Sequence, residues 1–183
     1  ISGNSNRALQ AAKGAYVALL DHDDVLTEDA LYWVVDALQR ERYDVVYSDE
    51  DRMAENGSHY LEPRFKPEFD IDLLRAYNYI SHLFVARREL MLADGGFHSQ
   101  YDGAQGYDMI LRCCEGNREI CHIPRVLYHK RIHDGTSSER EAKHAQENLA
   151  GKEALEAHVS REHLLARVMM TDQRSVYTVK YDT

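Results

Sequence analysis

Three aspartates fall within four residues near the start of the chain, at Asp21, Asp23 and Asp24, directly after an apolar run over residues 15–20. The run is too short for a typical helix, and this pattern predicts a strand of a parallel sheet that is buried on both faces. Ligands of open α/β sheets bind just beyond the carboxyl ends of strands. Asp21 and Asp23 project to the same side of an extended segment and offer hard oxygen ligands suited to Mg²⁺ or Mn²⁺. The alternative is a solvated acidic turn that begins the next helix.

A sheet must hold these acids, and hydrophobic spacing predicts the elements around them. A first helix, capped by Asn4 or Ser5, ends near Lys13 at a glycine stop. After the acids, Thr27 begins a second helix with apolar residues at helical spacing, and residues 43–48 form the next strand. Strand, helix and strand at this spacing indicate a βαβ unit. The predicted fold class is therefore α/β, a mainly parallel sheet flanked by helices.

The rest of the chain continues this pattern. Residues 49–72 are polar and predict a long functional loop or a small insertion. Pro124 interrupts a strand over residues 120–128, which predicts that this strand lies at a sheet edge. A charged C-terminal helix covers residues 139–168. The other predicted elements are strands at 80–87 and 175–181 and helices at 88–93 and 107–115.

Composition limits the classes of partner. The chain of 183 residues has 22 basic and 31 acidic side chains, a net charge of −9, which argues against a nucleic-acid groove because phosphate backbones need clustered Lys and Arg. A phosphate ligand would need help from a cation. Three cysteines, Cys113, Cys114 and Cys121, favour a reduced, cytosolic compartment. Burial of these thiols is the interpretation, with metal ligation as the alternative.

A series of short motifs then follows in a fixed order along the chain. With them the chain resembles the family 2 glycosyltransferases of the A-type fold over roughly residues 1–160, and the acidic cluster corresponds to the D-x-D motif of that family. The motifs are Asn4-Ser5-Asn6-x-Ala8-Leu9 with Gly14, Leu19-Leu20-Asp21-x-Asp23-Asp24, Tyr47-Ser48-Asp49-Glu50-Asp51, Asn78-Tyr79-Ile80-Ser81-His82, Gly95-Gly96-Phe97, Gly103-Ala104-Gln105-x-Tyr107-Asp108-x-x-Leu111-Arg112 and Tyr128-His129-x-Arg131-x-His133.

The resemblance implies a divalent metal, Mn²⁺ or Mg²⁺, which bridges the phosphates of a nucleoside diphosphate sugar and stabilises the departing diphosphate. The implied metal ligands are Asp23, Asp24 and His133. The implied donor- and phosphate-binding residues are Asp21, Asp24, Arg131 and Asn6. For Arg131 and His133, a surface ion pair and an exposed loop histidine are the alternatives.

Inversion at the anomeric carbon also needs a base for the acceptor hydroxyl, and here the sequence departs from the family pattern. Relatives carry Glu-Asp or Gln-Asp where this chain has Gln105-Gly106. The nearest carboxylates are Asp108, which we take as the candidate base, and Asp102, which is the alternative. A helix-supporting function of Asp108 stays open, as does an inactive chain.

The resemblance also implies the wider context of the chain. Residues 1–168 correspond to a glycosyltransferase domain that lacks its N-terminal strands, and residues 169–183 to a linker or strand toward a following domain. The implied partners are a UDP- or dTDP-type sugar donor, a glycan or lipid-linked glycan acceptor and adjacent domains of the parent chain, with no nucleic acid. The implied place is the cytoplasm, at the inner face of a bacterial membrane, in surface polysaccharide synthesis such as that of O-antigen.

Two rival functions stay open at this point. Leu19-Leu20-Asp21-x-Asp23-x-Val25-Leu26 also fits the first motif of haloacid dehalogenase-like phosphohydrolases, in which the first Asp attacks phosphorus. A truncated or degenerate module that binds a glycan or a sister domain without catalysis is the other alternative. Aromatic side chains of the middle segment either stack on acceptor sugars or pack in the core; they are Tyr60, Phe65, Phe69, Tyr77 and Tyr79.

Overall fold

The computed structural model describes residues 1–132 and 137–182, with the side chains of 137–143 left out. The helices of the described residues are α1 (Ser2–Ala11), α2 (Ala30–Arg40), α3 (Ile71–Ala76), α4 (Arg88–Ala93), α5 (Gln105–Cys113) and α6 (Ser137–Arg161). The strands are β1 (Tyr16–Leu19), β2 (Val25–Leu26), β3 (Val45–Met53), β4 (Tyr60–Arg64), β5 (Phe84–Arg87), β6 (Ile120–Arg131), β7 (Ala166–Met170) and β8 (Tyr177–Tyr181).

The main sheet has the order β1-β5-β3-β6-β2, with β4 paired to β3. The α/β class is confirmed, but the prediction of a mainly parallel sheet is wrong, because β3 and β6 form the one parallel pair among the described strands. The physical reason is that β5 lies between β1 and β3 and runs against both. β1 is consequently an edge strand of the described sheet, and its residues are partly exposed rather than buried on both faces.

Pro124 lies in an interior strand of the sheet and not in the edge strand that the sequence predicts. β6 is not an edge strand, because it pairs with β3 on one side and β2 on the other. The register between β3 and β6 shifts between Ser48 and Asp49, which pair with Ile123 and Val126. A proline cannot donate to a ladder and is tolerated at such a bulge, which removes the need for an edge.

Apolar side chains cover both faces of the sheet. On one face Tyr47 and Phe84 pack with residues of α5 and α6, including Leu111 and Leu155. On the other face Val46, Leu83 and Leu127 pack against α2. Cys113 and Cys114 are buried in the first cluster, as predicted, and Cys121 is half-buried. The sheet is therefore held rigidly where its strands end beside the acidic cluster.

The C-terminal region differs from the single helix predicted over residues 139–168. α6 ends at Arg161, and His163 adopts a left-handed φ of 54° that stops the helix. The chain then forms an antiparallel pair of β7 and β8. The predicted domain boundary after residue 168 falls inside β7, so residues on both sides of it share one hairpin.

The predicted loop over residues 49–72 also carries regular structure. It contains the end of β3, the whole of β4 and the start of α3. Gly57 allows the β3–β4 turn with a φ of 71°. Within the described residues, no helix combines the length and the apolarity that a membrane crossing requires.

Candidate functional site

The acidic turn, residues 21–24, is fixed by hydrogen bonds from β6. The hydroxyl of Tyr128 donates to Asp24 Oδ2 at 2.6 Å, and the backbone N–H of Arg131 donates to Asp24 Oδ1 at 2.8 Å. The N–H of Asp21 donates to the same Tyr128 oxygen at 3.2 Å. Each carboxylate oxygen of Asp24 keeps a further acceptor site. The turn therefore has a defined shape in which Asp24 can still bind a cation.

His82 lies against this turn from the segment before β5. Its ring stacks on Tyr128 with a centroid distance of 4.7 Å, and its Nε2 is 3.2 Å from Lys130 Nζ. Burial, together with the nearby cations Lys130, Lys66 and Arg64, lowers the pKa of His82 to about 3. The imidazole is therefore neutral at physiological pH, the form that binds metals.

A buried ion pair holds the backbone of His82 in place. Glu50 Oε2 accepts the His82 N–H at 2.7 Å and lies 3.5 Å from Lys66 Nζ. Lys66 Nζ also donates to the backbone carbonyls of Ile80 and His82. Burial lowers the pKa of Lys66 to about 8, although Glu50 opposes the shift. The pair makes His82 a preorganised part of the site.

Asp21, Asp24 and His82 could together hold a metal ion. Ligand atoms of these three side chains all lie within 4.8 Å of one another. Burial, with the neighbouring negative charge of Asp24, raises the pKa of Asp21, the expected result when carboxylates share a site without a cation. Two carboxylates and one imidazole form a set of ligands that suits Mn²⁺. The set also suits Mg²⁺, although Mg²⁺ binds a ring nitrogen less readily than Mn²⁺ does.

Of the metal ligands that the family resemblance implies, Asp24 belongs to this set. The Asp23 carboxylate is not part of the three-residue cluster, and its Oδ1 lies 3.6 Å from the ring Nδ1 of His22. His133 lies outside the described residues. Asp21, which the residue pattern offers as an oxygen ligand and the resemblance assigns to donor binding, is a member of the cluster. The sequence assigns no function to His82, which lies within one of the quoted motifs.

Arg131 binds backbone rather than projecting into the open site. Its Nε donates to the carbonyl of Asp23 at 2.7 Å, and its Nη1 donates to the carbonyl of Glu55 at 2.6 Å. The guanidinium thereby joins the acidic turn to the β3–β4 turn. This geometry supports a positioning function for Arg131, and the predicted contact with a diphosphate stays a prediction.

Beside the acidic turn a cleft of about 770 Å³ opens. One side, which we call the sheet wall, consists of Asp21, Ser81, His82 and Lys130. A second set of lining residues, which we call the helix wall, consists of residues 103–107 at the start of α5 together with Glu147 of α6. Asp21 and Glu147 are the two carboxylates among the described residues that line the cleft, one on each wall.

Asn6, predicted to bind the donor, clamps the segment before α5. Its Oδ1 accepts the N–H of Phe97 at 2.7 Å, and its Nδ2 donates to the carbonyl of Phe97 at 2.8 Å. Gly96 has a φ of 86°, and a Cβ there would lie only 2.3 Å from Asn6 Oδ1. Both polar groups of the Asn6 amide are therefore engaged by Phe97, and Asn6 positions the segment that leads to the helix wall.

Neither predicted base lies on the cleft. Asp108 is fully buried and its Oδ2 accepts bonds from Arg112 Nε and Nη2 at 3.1 and 2.8 Å. Asp102 accepts from the backbone N–H and the hydroxyl of Ser2, and these bonds lower its pKa. A base must reach the acceptor hydroxyl, so burial argues against Asp108, and a lowered pKa makes Asp102 a weaker base.

The helix wall instead presents Gly106. An ideal Cβ on Gly106 would have no atom within 4 Å, so the position has room for a side chain. Glu147 is the nearby carboxylate, and its side chain packs against Gly103. Its Oε2 lies 2.7 Å from Arg174 Nη2 and 3.4 Å from His144 Nδ1. No feature of the sequence around Glu147 had pointed to it, because α6 approaches α5 only in the folded chain.

The aromatic residues of the middle segment do not line the cleft. Tyr79 is buried in the core and Phe69 packs against it, which confirms the core interpretation for these two. The side chains of Tyr60, Phe65 and Tyr77 are exposed on other surfaces.

Comparison with known proteins bears on this site. Residues 1–93 match the model of Glycosyl transferase family 2. The Sinorhizobium fredii protein y4gI is 43% identical over 88% of this chain and 18% of its own length. The O-antigen biosynthesis protein RfbC of Myxococcus xanthus is 37% identical over 90% of this chain and 13% of its own length. The chain therefore spans less than a fifth of each of these two relatives.

The fold is also found among solved structures. The structure of S. aureus TarS 1-349 in complex with UDP-GlcNAc superposes with a TM-score of 0.59 over 82% of this chain and 46% of that one. The two sequences are 18% identical, so this likeness concerns the fold. It agrees with a partial A-type arrangement of the sheet and helices described above.

Proposed function

Since this chain belongs to glycosyl transferase family 2, we propose that it binds a nucleoside diphosphate sugar with the help of a divalent cation and transfers the sugar to a glycan acceptor with inversion. The observation that carries the proposal is the convergence of Asp21, Asp24 and His82, two of which, Asp21 and His82, line the cleft. A net charge of −9 would otherwise repel a diphosphate.

The side chains of the acidic turn fit a cation of the Mn²⁺ or Mg²⁺ type. Asp21 and Asp24 supply hard oxygens, and His82 supplies a neutral ring nitrogen. When bound, such a cation offsets the negative charge of the diphosphate leaving group. Lys130, which lines the cleft beside His82, adds a positive charge for the same phosphates.

The predicted ligands Asp23 and His133 remain part of the proposal as an alternative set. Asp24 belongs to both sets, and the charge at Asp23 contributes to the field of the turn in either case. Single-residue variants at positions 21, 23, 82 and 133 distinguish the two sets. If one set binds the metal, substitution of a residue that occurs only in the other set should leave metal binding intact.

The relatives support a particular class of donor and pathway. TarS binds UDP-GlcNAc in its crystal structure, which favours a UDP-type donor over a dTDP-type donor here. RfbC takes part in O-antigen biosynthesis, which favours a glycan or lipid-linked glycan acceptor and surface polysaccharide synthesis at the inner face of the membrane. Neighbouring domains of a longer parent chain would supply further contacts.

A second candidate function has a specific observation behind it. Gly106 occupies the position where the family resemblance places the base. Asp108, two residues later, is buried and does not line the cleft. A module that binds donor or glycan without transferring sugar would have this arrangement. Glu147, on the same wall, is the carboxylate that could replace the base if the chain is active. The phosphohydrolase alternative has no support from the family match.

The experiment that tests the proposal is calorimetric titration of the chain with UDP-GlcNAc, UDP-glucose and a dTDP-sugar, each in Mn²⁺ and in EDTA. We expect binding of a UDP-sugar that requires the metal. Release of UDP in the presence of an acceptor glycan would identify an active transferase, whereas binding without release would identify the non-catalytic module. Binding that is equally strong in EDTA, or no binding of any sugar nucleotide, would contradict the proposal.

A further inference from the structure

A second cavity lies at the edge of the sheet opposite the acidic turn. It has a volume of about 390 Å³ and is lined by Lys13, Arg42, Arg87 and Arg88, which we call the basic groove, together with Glu89. Lys13 precedes β1 and Arg42 precedes β3, whereas Arg87 and Arg88 follow from the antiparallel β5. The chain direction in the three strands therefore brings the four cations to the sheet edge away from Asp21.

The local charge of the basic groove differs in sign from that of the whole chain. Four cations face two nearby carboxylates, Asp44 and Glu89. Arg87 Nε lies 2.9 Å from Asp44 Oδ1, and its Nη1 lies 3.8 Å from Glu89 Oε1, which is largely exposed. The groove therefore keeps an excess of positive charge, although the whole chain has a net charge of −9. A concave surface of one sign attracts counter-ions of the other.

The cations of the groove also have unused hydrogen-bonding capacity. Arg88 Nε is buried and has no hydrogen-bond partner among the described residues, and its Nη2 reaches only the Gln10 carbonyl, at 3.5 Å. Lys13 and Arg42 form no ion pair with any residue that the structure describes. A buried guanidinium N–H without an acceptor is unfavourable. An acceptor that enters the groove would remove this cost.

Arg87 is held in a fixed orientation at the base of the groove. Its guanidinium lies over the Tyr16 ring at 5.4 Å from the centroid and forms an ion pair with Asp44. Planar guanidinium groups in fixed positions match the paired oxygens of phosphate better than the single charge of a lysine does. The groove is thus suited to a tetrahedral oxyanion with several acceptor oxygens.

We infer that the basic groove is a second binding site, one for a phosphate group, separate from the donor site and independent of the transferase proposal. Two sources share this chemistry, the phosphate of an anionic lipid headgroup and free inorganic phosphate. A phosphate in the groove would lie between Arg88 and Arg42 and supply the acceptors that Arg88 lacks.

The test uses the intact chain in two arms. In the first, inorganic phosphate is titrated and followed by NMR shifts of the groove residues. In the second, the chain is sedimented with vesicles of equal parts phosphatidylglycerol and phosphatidylcholine, or of phosphatidylcholine alone. Vesicle binding that depends on phosphatidylglycerol identifies the lipid source, whereas phosphate binding without vesicle binding identifies the free anion. Either result supports the site.

Variants assign the binding to the groove. We expect Arg88→Gln and Arg42→Gln each to weaken binding about tenfold, in line with the loss of a charge-assisted hydrogen bond. Arg118→Gln is the matched control, since it removes the same charge from an exposed residue outside the groove. Arg42 is also exposed, so its variant keeps the test valid if Arg88→Gln unfolds. Equal weakening by Arg118→Gln, or no binding in either arm, would overturn the inference.

Discussion

The two walls of the cleft are built in different ways. On the sheet wall, His82 is fixed by Glu50 and Lys66, and the acidic turn is fixed by Tyr128. On the helix wall, the side chain at position 106 is missing, and the carboxylate two residues later points into an ion pair with Arg112. Under the proposed function, donor binding and the chemical step are therefore separable. The residues that would hold a metal are fixed in place, whereas Gly106 has no group that could accept a proton.

The largest expected effect is that of Gly106→Asp, which supplies a carboxylate to the helix wall. General base catalysis contributes roughly 10²–10⁴-fold to rate, so we expect sugar transfer to rise by about 10²-fold or more while UDP-sugar affinity stays unchanged. The Cβ site is open, so the substitution should fold. The measurement is the turnover rate of the chain with its acceptor.

The control for this prediction is Glu147→Gln, which decides whether the helix wall already has a base. If Glu147 serves, the variant lowers the turnover of the parent chain, and Gly106→Asp gains little. If neither substitution alters transfer, the view that the helix wall supplies the base is refuted.

The sheet wall should be sensitive to loss of its buried support. Lys66→Met leaves the buried Glu50 with Arg64, 3.6 Å away, as its remaining cation, and removal of one partner of a buried pair costs about 3 kcal/mol. Urea unfolding should show this loss of unfolding free energy. The double variant Lys66→Met with Glu50→Gln should recover part of it, and a single variant as stable as the parent would show that the pair supports nothing.

Asp24 should matter more for metal binding than the hydroxyl that holds it. We expect Asp24→Asn to weaken Mn²⁺ affinity by about 100-fold, the upper end of the effects seen even for outer-shell partners. Tyr128→Phe removes the 2.6 Å bond to Asp24 but leaves every ligand in place, so it should cost about tenfold or less. Electron paramagnetic resonance of free Mn²⁺ measures both, and the reverse order would contradict the arrangement of the turn.

The smallest expected effect lies away from the cleft, at Glu115. Burial alone would raise the pKa of Glu115, but hydrogen bonds from His158 and Arg161 lower it below 4.5. A lowered folded-state pKa contributes stability above about pH 4.5 that is lost as the pH falls through the folded value. The difference in unfolding free energy between the parent and Glu115→Gln should therefore be about 1–2 kcal/mol at pH 7 and shrink toward pH 3. A difference that is constant with pH would contradict this assignment.

The sequence predicted the parts of the site that depend on local order along the chain. The short apolar run of β1 followed by the acidic cluster made Asp21, Asp23 and Asp24 candidates, because ligands collect where strands end, and the structure brings two of them, Asp21 and Asp24, together with His82. The burial of Cys113 and Cys114 and the α/β class followed from apolar spacing in the same way. The family resemblance rested on motifs that keep their order, and the family match confirms it.

The parts that depend on pairing could not be predicted. β5 lies between β1 and β3 because of long-range hydrogen bonds, and no local pattern fixes strand direction. His82 approaches Asp24 only when β5 and β6 are placed, so the sequence did not reveal that it joins the cluster. Asn6 and Asp108 are polar like site residues, yet Asn6 binds the backbone of Phe97, far along the chain, and Asp108 binds Arg112 one helical turn later. Polar type alone does not separate a ligand from a structural clamp.

The proposal that Asp21, Asp24 and His82 hold a metal is tested most directly by comparing two acids of the acidic turn. Asp21→Asn and Asp23→Asn remove the same charge two residues apart, but only Asp21 belongs to the cluster with Asp24 and His82. UDP is titrated into each variant in Mn²⁺ and in EDTA. We expect Asp21→Asn to weaken the metal-dependent binding about tenfold or more and Asp23→Asn to retain it. Loss of binding in Asp23→Asn with full binding in Asp21→Asn would contradict this assignment and make Asp23 the metal ligand.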